Sequence, residues 1–137
     1  MLRQAENGQT DLLIIKDRLE SLNNYIDKER TNRYAAASIK RKQQKMIGEY
    51  IEKAVKAGNL HRHDRPVAMF ITWTFPDHRR RDLDNQSFAI KFVQDALVDA
   101  GVFPDDNIKV IREIHHRAVI QSGVWKVEVE IKEITNE

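Results

Sequence analysis

Period-two strands and period-3.6 helices alternate along this chain, and together they predict an α/β protein of the α+β type. Its expected core is a mixed four-stranded sheet carrying two helices, in the order β-α-β-α-β-β. Three observations carry that prediction. Residues 67–75 read Val-Ala-Met-Phe-Ile-Thr-Trp-Thr-Phe, a run of β-branched and aromatic residues bounded by Pro66 and Pro76. Phe88, Ala89, Phe92, Val93, Ala96, Leu97 and Ala100 recur at helical spacing and stop at Gly101. Val127, Val129 and Ile131 alternate with Glu128, Glu130 and Lys132, as in a strand with one buried face.

The first element is Leu12-Leu13-Ile14-Ile15, too short for a helix and rich in β-branched residues, hence a strand. Ser21 to Arg33 is polar and rich in asparagine, and is expected to be a loop with some helical turns. A helix follows over about Ala35 to Ala57, with Ile39, Met46, Ile47, Tyr50, Ile51 and Val55 on one face and Gly58-Asn59 as the stop. After the strand at Val67–Phe75, the second helix starts near Asp84 or Asn85, either of which can cap it. Two strands close the chain, around Ile108–Ile120 and Val124–Ile134, with Ser122-Gly123 expected to turn a hairpin between them. Two helices on one face of the sheet is the simplest way to bury these stripes. Trp73 and Trp125, on expected strands, are read as core.

A length of 137 residues suits one domain, residues 1–137, without repeats or linkers. Hydrophobic residues at 41% and charged residues at 32% indicate a globular rather than a disordered chain. No apolar run approaches the ~20 residues of a membrane span, and the polar stretch Met1–Thr10 lacks a signal-peptide core. The absence of cysteine excludes disulfides and thiolate metal sites and fits a cytoplasmic location. No organic cofactor or membrane partner is expected.

The net charge of +2 conceals a bipolar distribution. Basic residues gather at Lys28, Arg30, Arg33, Lys40, Arg41, Lys42 and Lys45, again at His61-Arg62-His63 and Arg65, and again at His78-Arg79-Arg80-Arg81. Acidic residues gather at Asp95, Asp99, Asp105, Asp106 and in the tail from Glu128 to Glu137. Such segregation suits an anionic polymer, although charge runs also occur as plain solvated faces. Arg33, Lys40, Arg41, Lys42 and Lys45 are candidate contacts to a nucleic-acid backbone, and Tyr25 and Tyr34 are candidates either for base stacking or for the core. The histidines are not read as metal ligands. His61 and His63 stand among positive charges and suit a phosphate or structural role, and His115 and His116 should point to opposite faces of a strand.

The segment Arg79-Arg80-Arg81-Asp82-Leu83-Asp84-Asn85 concentrates the chemistry. Asp-x-Asp sets two carboxylates side by side, where a hard divalent cation can take them and keep open positions for phosphate oxygens. Asp105-Asp106 offers a third carboxylate, provided that the chain folds back past a helix of about 24 Å or that a partner chain supplies it. Arg79, Arg80 and Arg81 would hold flanking phosphates. Lys91 stands almost two turns beyond Asp84 on the same face, so its ammonium leans toward the site. Each part has a plainer explanation: Asp84 as a cap, Asp105-Asp106 as a turn, and Lys91 as an i,i+4 partner of Asp95.

Taken together, Arg-Arg-Arg-Asp-Leu-Asp-Asn, Lys-x-x-x-Asp-Ala-Leu and Gly-Val-Phe-x-Asp-Asp resemble the core of the RusA-type Holliday-junction resolvases, over roughly Trp73 to Ile134. The resemblance implies a homodimeric, magnesium-dependent endonuclease that cuts four-way DNA junctions, often encoded by phages or prophages, with manganese able to replace magnesium. It assigns metal-binding catalytic roles to Asp82, Asp84 and Asp106 and a catalytic role to Lys91. The family lysine commonly follows the second aspartate by four residues, where this chain has Phe88 and reaches its lysine about one turn later. A nuclease for flaps or forks, and a non-catalytic DNA-binding module of the same fold, are the alternatives.

Overall fold

In the computed structural model, which describes residues 2–134, the first strand runs over Thr10–Ile15 (β1). Its inward positions are Leu13 and Ile15, as the alternation demands, and also Asp11, a charged residue. The expected loop at Ser21–Arg33 is instead a helix, Leu22–Thr31 (α1). The Ser21 hydroxyl accepts the Asn24 N–H and so caps it. Tyr25 anchors the helix from its partly buried side, 5.4 Å from the Phe88 ring and 5.9 Å from Phe92. No residue of α1 is fully buried, which is why its apolar stripe is faint in the sequence.

Asn32 separates α1 from the long helix Arg33–Lys56 (α2). Its backbone is extended and its side chain accepts the Tyr34 N–H at 2.8 Å. Asn32→Ala is expected to cost about 1 kcal/mol of stability, seen as a lower urea midpoint at unchanged slope. An unshifted midpoint would show that the cap contributes nothing. α2 buries Ala36, Ile47 and Ile51, and Gly58 ends it with a φ of +79°, a left-handed conformation that suits glycine.

The central strand, Val67–Phe75 (β2), is buried along most of its length. The helix expected after it is broken in two, Leu83–Ser87 (α3) and Ile90–Asp99 (α4). At the break, Ala89, Lys91 and Phe92 each donate to the carbonyl three residues earlier, at 3.1 Å, which tightens the chain into 3₁₀ geometry. Gln86, buried, donates to the Leu19 carbonyl at 3.1 Å and ties α3 to the segment ahead of α1.

The last two strands are Ile111–Ile120 (β3) and Lys126–Glu133 (β4), and the sheet order is β1-β4-β2-β3. β3 runs parallel to β2, whereas β4 is antiparallel to both β2 and β1. The expected β3–β4 hairpin at Ser122-Gly123 is therefore not formed. The connection passes over the end of β2, with Gln121 donating to the Phe75 carbonyl and Gly123 to the Pro76 carbonyl, each at 2.9 Å. A strand as apolar as β2 needs a partner on both edges, and this crossing supplies them.

Mixed sheet and helices bury Leu13, Ile15, Val67, Met69, Ile71, Trp73, Val129 and Ile131 against Ile47, Ile51, Phe92, Val93 and Leu97. The other sheet face stays open, with Leu12, Ile14 and Phe70 exposed. His115 and His116 do take opposite faces: His115 stacks on Phe70, while His116 accepts the Trp73 indole N–H at 2.9 Å and burial lowers its pKa. His61 and His63 take a structural role. His61, partly buried, meets Asp11, and His63, fully buried, lies between Asp11 and Glu133, the latter also 3.4 Å from Arg65. Glu137, the end of the acidic tail, and Met1 lie outside the described residues.

Candidate active site

Asp82 occupies the N-cap position of α3, yet its side chain makes no capping bond. The carboxylate is exposed and has no ion-pair partner among the described residues, although arginines precede it directly. Asp84 is likewise exposed, and among the described residues its Oδ1 accepts only the Asn85 N–H, at 2.9 Å. The Asn85 side chain is taken by the Asn23 N–H at 2.8 Å, so neither Asp84 nor Asn85 serves as the expected helix cap.

The three arginines diverge. Arg79 turns out to solvent and lies 3.8 Å from Asp77. Arg81 is drawn onto Asp77 at 2.7 Å, and this hydrogen bond holds the Asp77 carboxyl below its ordinary pKa. Arg80 and Arg81 line a groove of about 280 Å³ together with Asp82, Asn85, Arg18 and Trp125. Trp125 precedes β4 instead of lying on a strand, and it is half-buried at this groove rather than enclosed in the core.

Asp106 does come back to the second helix, but to its flank. The Lys91 ammonium lies 2.9 Å from Asp106 and 3.3 Å from Asp95, so the i,i+4 pair and the longer-range pair coexist. The hydrogen bond from Lys91 lowers the Asp106 pKa, and the same bond raises that of Lys91. Lys91→Met is expected to let Asp106 titrate closer to its ordinary value of 3.8, as followed by carboxyl NMR. An unchanged midpoint would assign the depression to another neighbour.

Asp106 and Asp95 share a second groove of about 280 Å³ with Lys40, Gln44 and Asp99. Of the candidate backbone-binding residues on α2, Lys40 thus faces this groove, while Arg33, Arg41, Lys42 and Lys45 are exposed. Tyr34 is 72% exposed and available for stacking, unlike Tyr25, which is packed under α4.

All-oxygen donors at Asp82, Asp84 and Asp106 suit a hard cation. Among the described residues, however, no three histidine, aspartate or glutamate side chains converge closely enough to hold a metal. The structure brings Asp106 to Lys91 and Asp95, sets Asp82 in the groove with Arg80 and Arg81, and leaves Asp84 exposed. Arg18 and Trp125 were not singled out as site residues by sequence pattern, since neither belongs to a motif. Nor, among the described residues, is any helix long and apolar enough to cross a membrane. The chain matches no protein-family model, and no curated protein matches it.

Proposed function

We propose that this chain is a RusA-like, magnesium-dependent endonuclease that resolves four-way DNA junctions by paired phosphodiester hydrolysis. The observation that carries the proposal is the Asp82 and Asp84 carboxylates: both are exposed and neither is ion-paired among the described residues, and Asp82 lines a groove with Arg80 and Arg81. Asp82, Asp84 and Asp106 are the proposed donors to magnesium, or to manganese in its place, although among the described residues no three such groups converge. The cation would supply a polarised phosphate and an activated water.

The chain's own residues do the rest. Arg80 and Arg81 hold the flanking phosphates by charge-assisted bonds. Lys40, Arg41, Lys42 and Lys45 follow one arm of the substrate from the exposed side of α2, together with Arg33 and Arg79. Lys91, to which the resemblance gives a catalytic role, holds Asp106 at 2.9 Å. A two-fold homodimer presents the same carboxylates twice, which suits paired cuts and brings a second Asp106 into play. Cytoplasmic DNA is the proposed setting.

Purified protein incubated with a synthetic four-way junction and a matched duplex, with and without magnesium, tests this. Symmetric magnesium-dependent cuts confined to the junction are expected. Preferred cutting of flaps or forks would replace the substrate, and tight binding with no cut in magnesium or manganese would leave a DNA-binding module.

A further inference from the structure

Beside Asp82, two arginines from distant parts of the chain converge on one indole. The Arg18 guanidinium carbon lies 4.5 Å from the Trp125 ring centroid and that of Arg81 lies 5.1 Å from it. Arg81 also lies 5.5 Å from the Phe75 ring, and Phe75 meets Trp125 edge-on at 5.7 Å, which fixes the indole against the end of β2. Cation–π attraction accounts for each arginine singly. It does not account for gathering Arg18, Arg80 and Arg81 around one groove, where like charges repel. Asp77 offsets Arg81, but among the described residues neither Arg18 nor Arg80 has a carboxylate within ion-pair distance. Asp82 is the one carboxylate lining the groove, and among the described residues it stands within ion-pair distance of none of the three arginines. Three guanidiniums thus face one acid and the groove stays net positive, with Ser21, Asn23, Asn85 and Gln86 as its neutral polar lining.

We propose that Arg18, Arg80 and Arg81 form a phosphate clamp on the Trp125 platform, taking the nucleic-acid backbone phosphate next to the one engaged at Asp82. It rests on the nuclease assignment and extends it to two residues outside the motif. A guanidinium fork matches two phosphate oxygens, which a lysine ammonium does not. Trp125 is a positioning residue: it touches no phosphate but orients Arg18 and Arg81.

The test is binding of a labelled four-way junction to the whole chain in chelator, titrated at several salt concentrations, with magnesium-dependent cleavage measured in parallel. Arg18→Ala removes an exposed side chain, so the fold should persist. It is expected to weaken binding roughly 3- to 10-fold and to lower the salt slope by about one. Arg18→Lys should restore the slope but only part of the affinity. Trp125→Leu should weaken binding at least as much as Arg18→Ala, Trp125→Phe should recover most of that loss, and adding Arg18→Ala to Trp125→Leu should cost little more. Inorganic phosphate at millimolar concentration should compete weakly, as expected for a subsite of a polymer.

Unchanged affinity and slope in Arg18→Ala would overturn the clamp, and with junction cleavage intact they would leave the nuclease assignment standing. Arg18-dependent binding without any cleavage would do the reverse. A Trp125→Leu variant that folds and binds like the wild type would remove the platform from the proposal.

Discussion

Asparagine in place of Asp82 or Asp84 is expected to lower junction cleavage at least about 100-fold, while junction affinity in chelator stays within a factor of two to three. The expectation follows from what these carboxylates do not do in the fold. Neither is buried, neither is ion-paired among the described residues, and Asp82 does not cap the helix it begins. An isosteric amide should therefore leave stability almost unchanged. It withdraws the charge a divalent cation requires, and it relieves repulsion toward the DNA backbone, so binding is kept or slightly tightened. Asp106→Asn should differ. It also frees Lys91 from its 2.9 Å partner, so it should alter the titration of Lys91 as well as cleavage. Cleavage undiminished in both Asp82→Asn and Asp84→Asn would remove the carboxylate pair from the reaction and with it the proposed chemistry.

What the sequence disclosed and what it hid divide along the range of the interactions. β2 and β4 were legible because burial on one face or both leaves a local imprint, the apolar run at 67–75 and the Val127-Val129-Ile131 alternation. α1 was not, because with no fully buried residue it owes its helix to the Ser21 cap and to Tyr25 resting on Phe88 and Phe92. The break between α3 and α4 was hidden by an apolar stripe that runs unbroken through Phe88, Ala89 and Phe92. The Ser122-Gly123 turn is real, but a turn does not say which edges will pair. The unpaired side of β2 decided that β4 should cross over.

The same holds at the site. The carboxylates could be named from the motif, and so could Lys91, but its ammonium goes to Asp95, one turn further on, and to Asp106 rather than back toward Asp84. The choice of Asp106 as its partner depends on how the chain returns after Gly101, which no periodicity encodes. Arg18 and Trp125 meet only because the segment ahead of α1 and the β3–β4 crossing end at the same corner of the sheet.

The other large effect lies at the opposite end of the sheet, where replacing His63 with leucine is expected to cost about 3–5 kcal/mol of folding stability. His63 is fully buried, with Nε2 2.6 Å from Asp11 and Nδ1 3.2 Å from Glu133. Both contacts can be hydrogen bonds donated by the ring only when it is an imidazolium. The carboxylates have further partners: the His61 N–H donates to Asp11 at 2.7 Å, and the Gly8 N–H donates to Glu133 at 3.0 Å. This network joins β1, β4 and the loop ahead of β2. With leucine, among the described residues Asp11 would keep only His61, and Glu133 only Gly8 and Arg65, the latter 3.4 Å away, each carboxylate losing its fully buried partner. The loss should appear as a fall of roughly 10 °C in the unfolding midpoint. A fall of less than 2–3 °C would show that the carboxylates are satisfied without the imidazole. Replacing Asp11, His63 and Glu133 together by leucine should recover much of the loss, because the desolvation cost of the charges disappears with them. The pH dependence has a definite sign. Burial alone would raise the Asp11 pKa, but hydrogen bonds from His63 and His61 outweigh it and hold the carboxyl below its ordinary value of 3.8. A carboxyl depressed in the folded state stabilises the fold fully above its unfolded pKa, and that stability is lost as pH falls through the lower, folded value. Acid unfolding of the wild type should therefore carry an Asp11 contribution below about pH 4, and Asp11→Asn should flatten the stability profile there while lowering it at neutral pH.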